Sequence, residues 1–338
     1  LESDNGNGAW GTILGEINAL RVAEGSSRYY YGVVKTSYSS GVAGMGYLGW
    51  PAAIGWDRLP SASGIAAHEW GHNWDLRHAP GCGAGSPDPS YPYGDGKIGI
   101  WGMDVTGPSL KSPSTFYDFM SYCNPDWISD YHYGKILDYR EAHGALGAPG
   151  QSISGPRPEP ALLVWGRVRD GRIKVEPAFQ INTRPLLPPG DGEYVLEGIS
   201  SEGTVLYSES FRPIPVPDAL GDGGHFAFAI PVRLLPPEAL ATLRVLGPGV
   251  EPGIREASVG PLGAPAPRPE LTPLGGNRVE VAWDPVSFPM VLVRDPGSGE
   301  VLSFGRGGAV SLPDVSGEVE LIFSDGIRSP DPVRRTIR

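Results

Sequence analysis

An α+β domain followed by two all-β domains is the architecture this sequence predicts, and three observations predict it. The apolar pattern mixes helical, strand-like and irregular stretches up to about residue 148 and alternates with period two beyond it. Two stretches rich in Pro and Gly, "GAPGQSISGPRPEP" at 147–160 and "GAPAPRPE" at 263–270, read as linkers. The 49 glycines and 36 prolines among 338 residues favour turn-rich β architecture over helical bundles. The predicted domains are 1–148, 149–262 and 263–338, the last two as small immunoglobulin-like sandwiches.

The elements follow in order. Trp10, Ile13, Leu14, Ile17 and Leu20 share one helical face within residues 8–24, and Gly25 is a stop signal. Residues 28–38, aromatic and β-branched, read as a strand. Residues 41–56 are apolar but broken by glycines, which suits a strand whose backbone lies close to something else. Ser61 or Ser63 can cap a helix carrying His68 and His72. No period is sustained from Ala79 to Ser114, so that segment reads as irregular. A further helix is predicted over 129–143, with Ser129 as its cap and Gly144 at its end. After the first linker, segments such as "ALLVWGRVRDGRIKVEPAF" and "HFAFAIPVRL" alternate like half-buried strands, joined by turns such as Asp170–Gly171. "RVEVAWD", "MVLVRDPGSGEVLSF" and "GEVELIFSDG" form the second strand set, with Trp165 and Trp283 read as core residues.

A formal net charge of −11 argues against nucleic acid or an anionic membrane surface as partner, since both require a basic face. No apolar run approaches the roughly 18 residues that span a bilayer, so membrane insertion is not expected. The opening "LESDNGNG" has no basic-then-apolar leader, and any export signal or pro-segment is expected upstream of Leu1. A monomer is the expected state.

The chemistry concentrates in "HEWGHNWDLRH", residues 68–78, with three histidines and a glutamate in eleven positions. His68 and His72 are four apart, so on a helix both imidazoles project from one face and can chelate a single zinc ion. Glu69 lies beside His68 and is placed to serve as general base. A catalytic zinc needs a third protein ligand, and His78 is the nearest candidate. The alternative is a polar helix without metal, which would bury several imidazoles for no gain. Cys82 and Cys123, the two cysteines of the chain, leave two readings: a disulfide or two buried thiols.

These residues resemble the signature of the metzincin clan of zinc endopeptidases, HExxHxxGxxH. A methionine turn is the second mark of that clan, and "YDFMSYC" offers Met120. The resemblance covers roughly residues 8–145. It implies a metzincin-like catalytic domain with His68, His72 and His78 as zinc ligands, Glu69 as base and Met120 as the floor of the site. It also implies that Tyr122 stabilises the oxyanion or ligates the metal. Asp75 stands where the clan pattern has glycine, and Asp is among the few residues that tolerate the left-handed turn needed there. A Cys82–Cys123 disulfide would tie together the segments carrying the third ligand and the methionine turn, contributing roughly 3–4 kcal/mol, and it implies secretion. An edge strand formed by Gly44, Met45, Gly46 and Tyr47 would pair with an extended substrate.

Asp88, Asp95 and Asp104 lie in a turn-rich acidic stretch and raise the question of calcium, although their spacing matches no defined loop pattern. The residues Tyr131, His132 and Tyr133 read as helix surface and core, or as contributors to a specificity pocket. The function expected is therefore a secreted zinc-dependent endopeptidase acting on protein substrates. Two alternatives stand beside it: a protease directed at glycoproteins or mucins, and an adhesive or carbohydrate-binding β-sandwich protein with a vestigial metal site.

Overall fold

A computed structural model of the chain describes residues 9–36, 41–143, 156–219, 223–257, 267–313 and 316–337. The chain forms two compact units that are not contiguous in sequence. The first comprises residues 1–17, 27–153 and 214–222, and the second comprises 18–26, 154–213 and 223–338. The linker predicted at 147–160 lies largely outside the described residues, as does much of the one at 263–270.

In the first unit, helix α1 begins at Trp10 (its span is Trp10–Ala23). Gly25 ends it in the left-handed conformation, its N–H donating to Val22 O while Ser26 N–H donates to Arg21 O. A three-stranded sheet follows, with β1 (Tyr30–Val34), β2 (Gly44–Gly46) and β3 (Ala52–Trp56). β3 is central, parallel to β1 and antiparallel to β2. The region 41–56, read from sequence as one strand, is thus two strands reversed through a turn that contains Pro51. Helix α2 (Ala62–Asn73) packs on β2 and β3. Trp10, Leu14, Val34, Met45, Tyr47, Ile54 and Val216 form the core beneath the sheet.

Ser61 precedes α2, but its hydroxyl donates to Arg58 O and Ser63 donates to Pro60 O, so neither side chain caps the helix. Residues 79–129 hold two short pairs, β4 (Gly102–Asp104) with β5 (Ser109–Lys111) and β6 (Tyr117–Asp118) with β7 (Asp126–Trp127). Helix α3 (Asp130–His143) is capped by Ser129, whose hydroxyl accepts from His132 N–H.

The second unit is built of strands. Glu159–Arg169 pairs antiparallel with Phe179–Thr183 and Gly223–Pro231, and Arg172–Val175 also pairs with it. A second sheet runs in the order Val205–Phe211, Tyr194–Ser200, Leu240–Leu246, Gly253–Glu256. The two share a core that includes Leu162, Phe211, Phe226 and Leu243. Residues from Glu270 onward form one seven-stranded antiparallel sheet. Trp165 and Trp283 are buried, their indole N–H groups donating to Pro177 O and Phe288 O.

This corrects the predicted fold class. Strand makes up 41% of the structure and helix 13%, with three helices among the described residues. It is a mostly β protein, not an α+β metzincin-like domain followed by two separate β-sandwiches. The second strand set is a single sheet rather than a sandwich. Its Met290, Leu292 and Ile322 share one core with Leu163, Trp165 and Phe179 of the preceding strands and with Ala19 and Val22 of α1. Periodicity located the strands but could not say which apolar faces share a core.

Candidate metal centre

Helix α2 fixes the site. Its periodicity puts His68, Glu69 and His72 on the buried side, while Trp70 between them is partly exposed. The helix then ends in a Schellman motif: Leu76 N–H donates to Gly71 O, Asp75 N–H donates to His72 O, and Asp75 has φ 62°. The chain therefore turns back at Asp75 and delivers His78. Ring centroids of the three histidines lie 4.8 to 5.3 Å apart.

Each imidazole is fixed through Nδ1. The carbonyl partners are Phe119 O for His68 at 2.9 Å, Leu76 O for His72 at 2.8 Å and Gly85 O for His78 at 2.5 Å. A carbonyl can only accept, so Nδ1 carries a proton on each ring and Nε2 is the atom left to bind a metal. All three Nε2 atoms are buried without a hydrogen-bond partner. This is the tautomer and orientation that metal-ligating histidines require. Burial first, and then the neighbouring His72, lower the His68 pKa to about 4, so that ring is neutral at physiological pH.

A fourth group joins them. Asp218, from the 214–222 segment of the same unit, places Oδ2 2.8 Å from His72 Nε2 and Oδ1 3.1 Å from His78 Nε2. Neither contact has hydrogen-bond alignment, short as both are. One ligand atom from each of His68, His72, His78 and Asp218 falls within 4.8 Å of every other, the one such cluster among the described residues. Two carboxylates, Asp218 and the buried Glu69, lie among the three imidazoles. Three imidazole nitrogens with one carboxylate oxygen gathered in this space are a donor set that suits zinc.

Glu69 is buried with Oε2 unpartnered. Burial, with the Asp218 charge added, holds its pKa well above the usual carboxylate range. Burial also disfavours the charged form of Asp218, but the contacts to His72 and His78 outweigh it and keep that carboxylate ionised. Tyr122 donates its hydroxyl to Asp218 Oδ1 at 2.5 Å, and its ring lies 5.2 Å from that of His78. Burial and the adjacent Asp218 push the phenol pKa up, so it stays a proton donor.

Met120 is fully buried beneath α2. Gly71 is what admits it, because a Cβ there would collide with Met120 Sδ. The turn is held by Asp118, which sequence reasoning missed: its carboxylate accepts from Met120 N–H, Ser129 N–H and His132 Nδ1. The Cys82–Cys123 disulfide closes the same region. Gly44, Met45, Gly46 and Tyr47 are all buried. Their glycines accommodate α2: a Cβ on Gly44 would stand 2.5 Å from Glu69 Oε1, and one on Gly46 2.5 Å from Glu69 O.

The acidic residues at 88–104 do not converge. Asp88 pairs with Lys135 and Tyr131, while Asp95 and Asp104 accept backbone N–H groups within their own turns. His132 is buried against Asp118 and Tyr133 is exposed, so neither joins the metal cluster.

No family model matches the sequence, and no curated protein matches it. Solved structures do. A biofilm-associated protein domain is 15% identical over 54% of this chain and 29% of that chain, at a TM-score of 0.19. A two-domain fibronectin type-III segment from chicken tenascin is 13% identical over 55% of this chain and 97% of that chain, at 0.20. A fibronectin-III array of RIM-binding protein gives 10% identity, 57% and 67% coverage, and 0.18. The descriptions of these neighbours name a biofilm-associated domain and fibronectin type-III segments and no protease. Scores this low carry no argument about function.

Proposed function

We propose that the chain is a zinc-dependent hydrolase of peptide bonds in proteins. The observation that carries the reading is the trio of Nδ1-anchored histidines gathered with Asp218 so that one ligand atom from each lies within 4.8 Å of the others, with the Glu69 carboxyl buried beside them. Zinc held by His68, His72 and His78 would supply Lewis acidity at a scissile carbonyl, acidify water and offset the negative charge around Glu69. Glu69 takes the proton of the attacking water and returns it to the departing amine. Tyr122 donates its hydroxyl to the developing oxyanion once Asp218 no longer accepts it. Gly71, Met120 and Asp118 keep the ligand-bearing segments rigid and touch no reacting atom.

One observation favours a second reading. Asp218 completes a four-ligand set, and a closed four-ligand zinc is the structural kind. On that reading the metal only staples the unit of a binding or adhesive protein. Two measurements separate the readings. Native mass spectrometry after zinc dialysis should find one zinc per chain, lost in His72→Ala. A pool of unfolded and glycosylated proteins should then be cut by the zinc-loaded chain and not by Glu69→Ala. Zinc binding without Glu69-dependent cleavage by either the native chain or Asp218→Ala supports the structural reading, and cleavage confined to glycosylated substrates selects the glycoprotein-directed form.

A further inference from the structure

We propose that Asp218 is a releasable internal occupant of this site, so that the chain as folded is held closed by its own 214–219 segment. This rests on the peptidase reading for its consequence, but the closure itself is a statement about metal coordination. A catalytic zinc keeps one position open, and if the three histidines held a zinc this carboxylate would be at hand to take that position, its oxygens lying 2.8 and 3.1 Å from the His72 and His78 Nε2 atoms. The same carboxylate accepts the Tyr122 hydroxyl. A single side chain thus occupies both groups that a peptide carbonyl would need.

The segment is built to present it. Ala219 N–H donates to Val216 O, closing a four-residue turn with Pro217 and Asp218 at its centre. Upstream, Pro215 O accepts from Leu48 N–H. Val216 is buried in the core with Trp10, Met45 and Tyr47, and Ile214 and Ala219 pack against that core. Ile214 and Pro215 are held as a strand and Val216 is buried in the core, whereas Asp218 itself sits in the short turn beyond them and is less buried than the three histidines. Such a strap can leave while the histidine site stays intact. A ligand that needs the closed position binds with an affinity reduced by the fraction of open molecules.

The test uses the full chain loaded with cobalt(II), which reports coordination in its visible spectrum, and acetohydroxamate as a bidentate probe of open positions. Asp218→Ala and the shape-conserving Asp218→Asn are compared with the native chain. The expected result is a changed cobalt spectrum in both variants, hydroxamate binding at least about tenfold tighter, and faster cleavage of an unfolded protein. Retained cobalt with an unchanged spectrum and unchanged hydroxamate affinity in both variants overturns the proposal. Loss of cobalt from folded Asp218→Asn overturns it too, because Asp218 would then be an obligatory ligand. Tighter hydroxamate binding with no cleavage by any form upholds the closure and rejects the peptidase reading instead.

Discussion

Glu69 and Asp75 carry the sharpest expectations at the scale of single residues. Glu69→Gln conserves size and removes the base, so zinc content should hold while hydrolysis falls by roughly 10²–10⁴-fold. Equal losses of zinc and hydrolysis would mean that Glu69 has only a structural role. Asp75 sits at φ 62° in the turn that delivers His78. Asp75→Ala should lower stability by about 1 kcal/mol in thermal melts, and Asp75→Gly should be tolerated. Much of this site was legible in the chain itself, because histidine spacing on a helix is a local property. Asp218 was not. It lies 140 positions beyond His78 among strand-like residues, and no local period says that a distant turn folds back onto a histidine cluster. Asp118 was hidden for a related reason, since its role emerges only when three backbone and side-chain donors converge on it.

Among elements, the contact between β2 and α2 is the most exacting. The glycines of this region were read as marking a strand whose backbone lies close to something else, and on β2 the neighbour that a Cβ would meet is Glu69 on the helix behind it. Gly46→Ala forces a methyl against the Glu69 carbonyl oxygen, and overpacking of this kind typically costs about 1–3 kcal/mol. A lowered melting temperature with a drop in turnover beyond any loss of zinc is the expected result. The disulfide closes a loop of sequence separation 41. Cys82→Ser with Cys123→Ser should cost roughly 3–4 kcal/mol by the loop-entropy account, measured by denaturant unfolding of both forms. Helix α3 and its Ser129 cap were readable because capping is local. The split of 41–56 into two strands was not, because only pairing with β1 and α2 fixes where the chain reverses.

At the scale of the whole molecule, the first strand set and the later seven-stranded sheet share a core that period-two patterns could not reveal. That unit also holds a buried titratable group. Burial first, then the charges of Arg167 and Arg169, depress the His225 pKa to about 3. The unfolded chain takes up a proton near pH 6.5 that the folded chain refuses. Stability from this residue is therefore full above about 6.5 and falls as pH drops toward 3, by on the order of a few kcal/mol. Urea unfolding from pH 7 to pH 4 should show that slope in the native chain and a shallower one in His225→Gln. Equal slopes would place the acid sensitivity elsewhere, for instance at Glu176, whose carboxylate is kept ionised against burial by Arg306 and Lys174.

On the proposed function, the histidine cluster and Glu69 form a working hydrolytic site in this unit. It is tested most directly with zinc-loaded Asp218→Ala, incubated with a mixed pool of unfolded and glycosylated proteins and read by mass spectrometry for new peptide termini. Asp218→Ala combined with Glu69→Gln is the control. New termini should arise from the single variant and vanish both in the double variant and on zinc removal. No termini from a folded, zinc-bound Asp218→Ala chain, or termini that persist without Glu69, would contradict it.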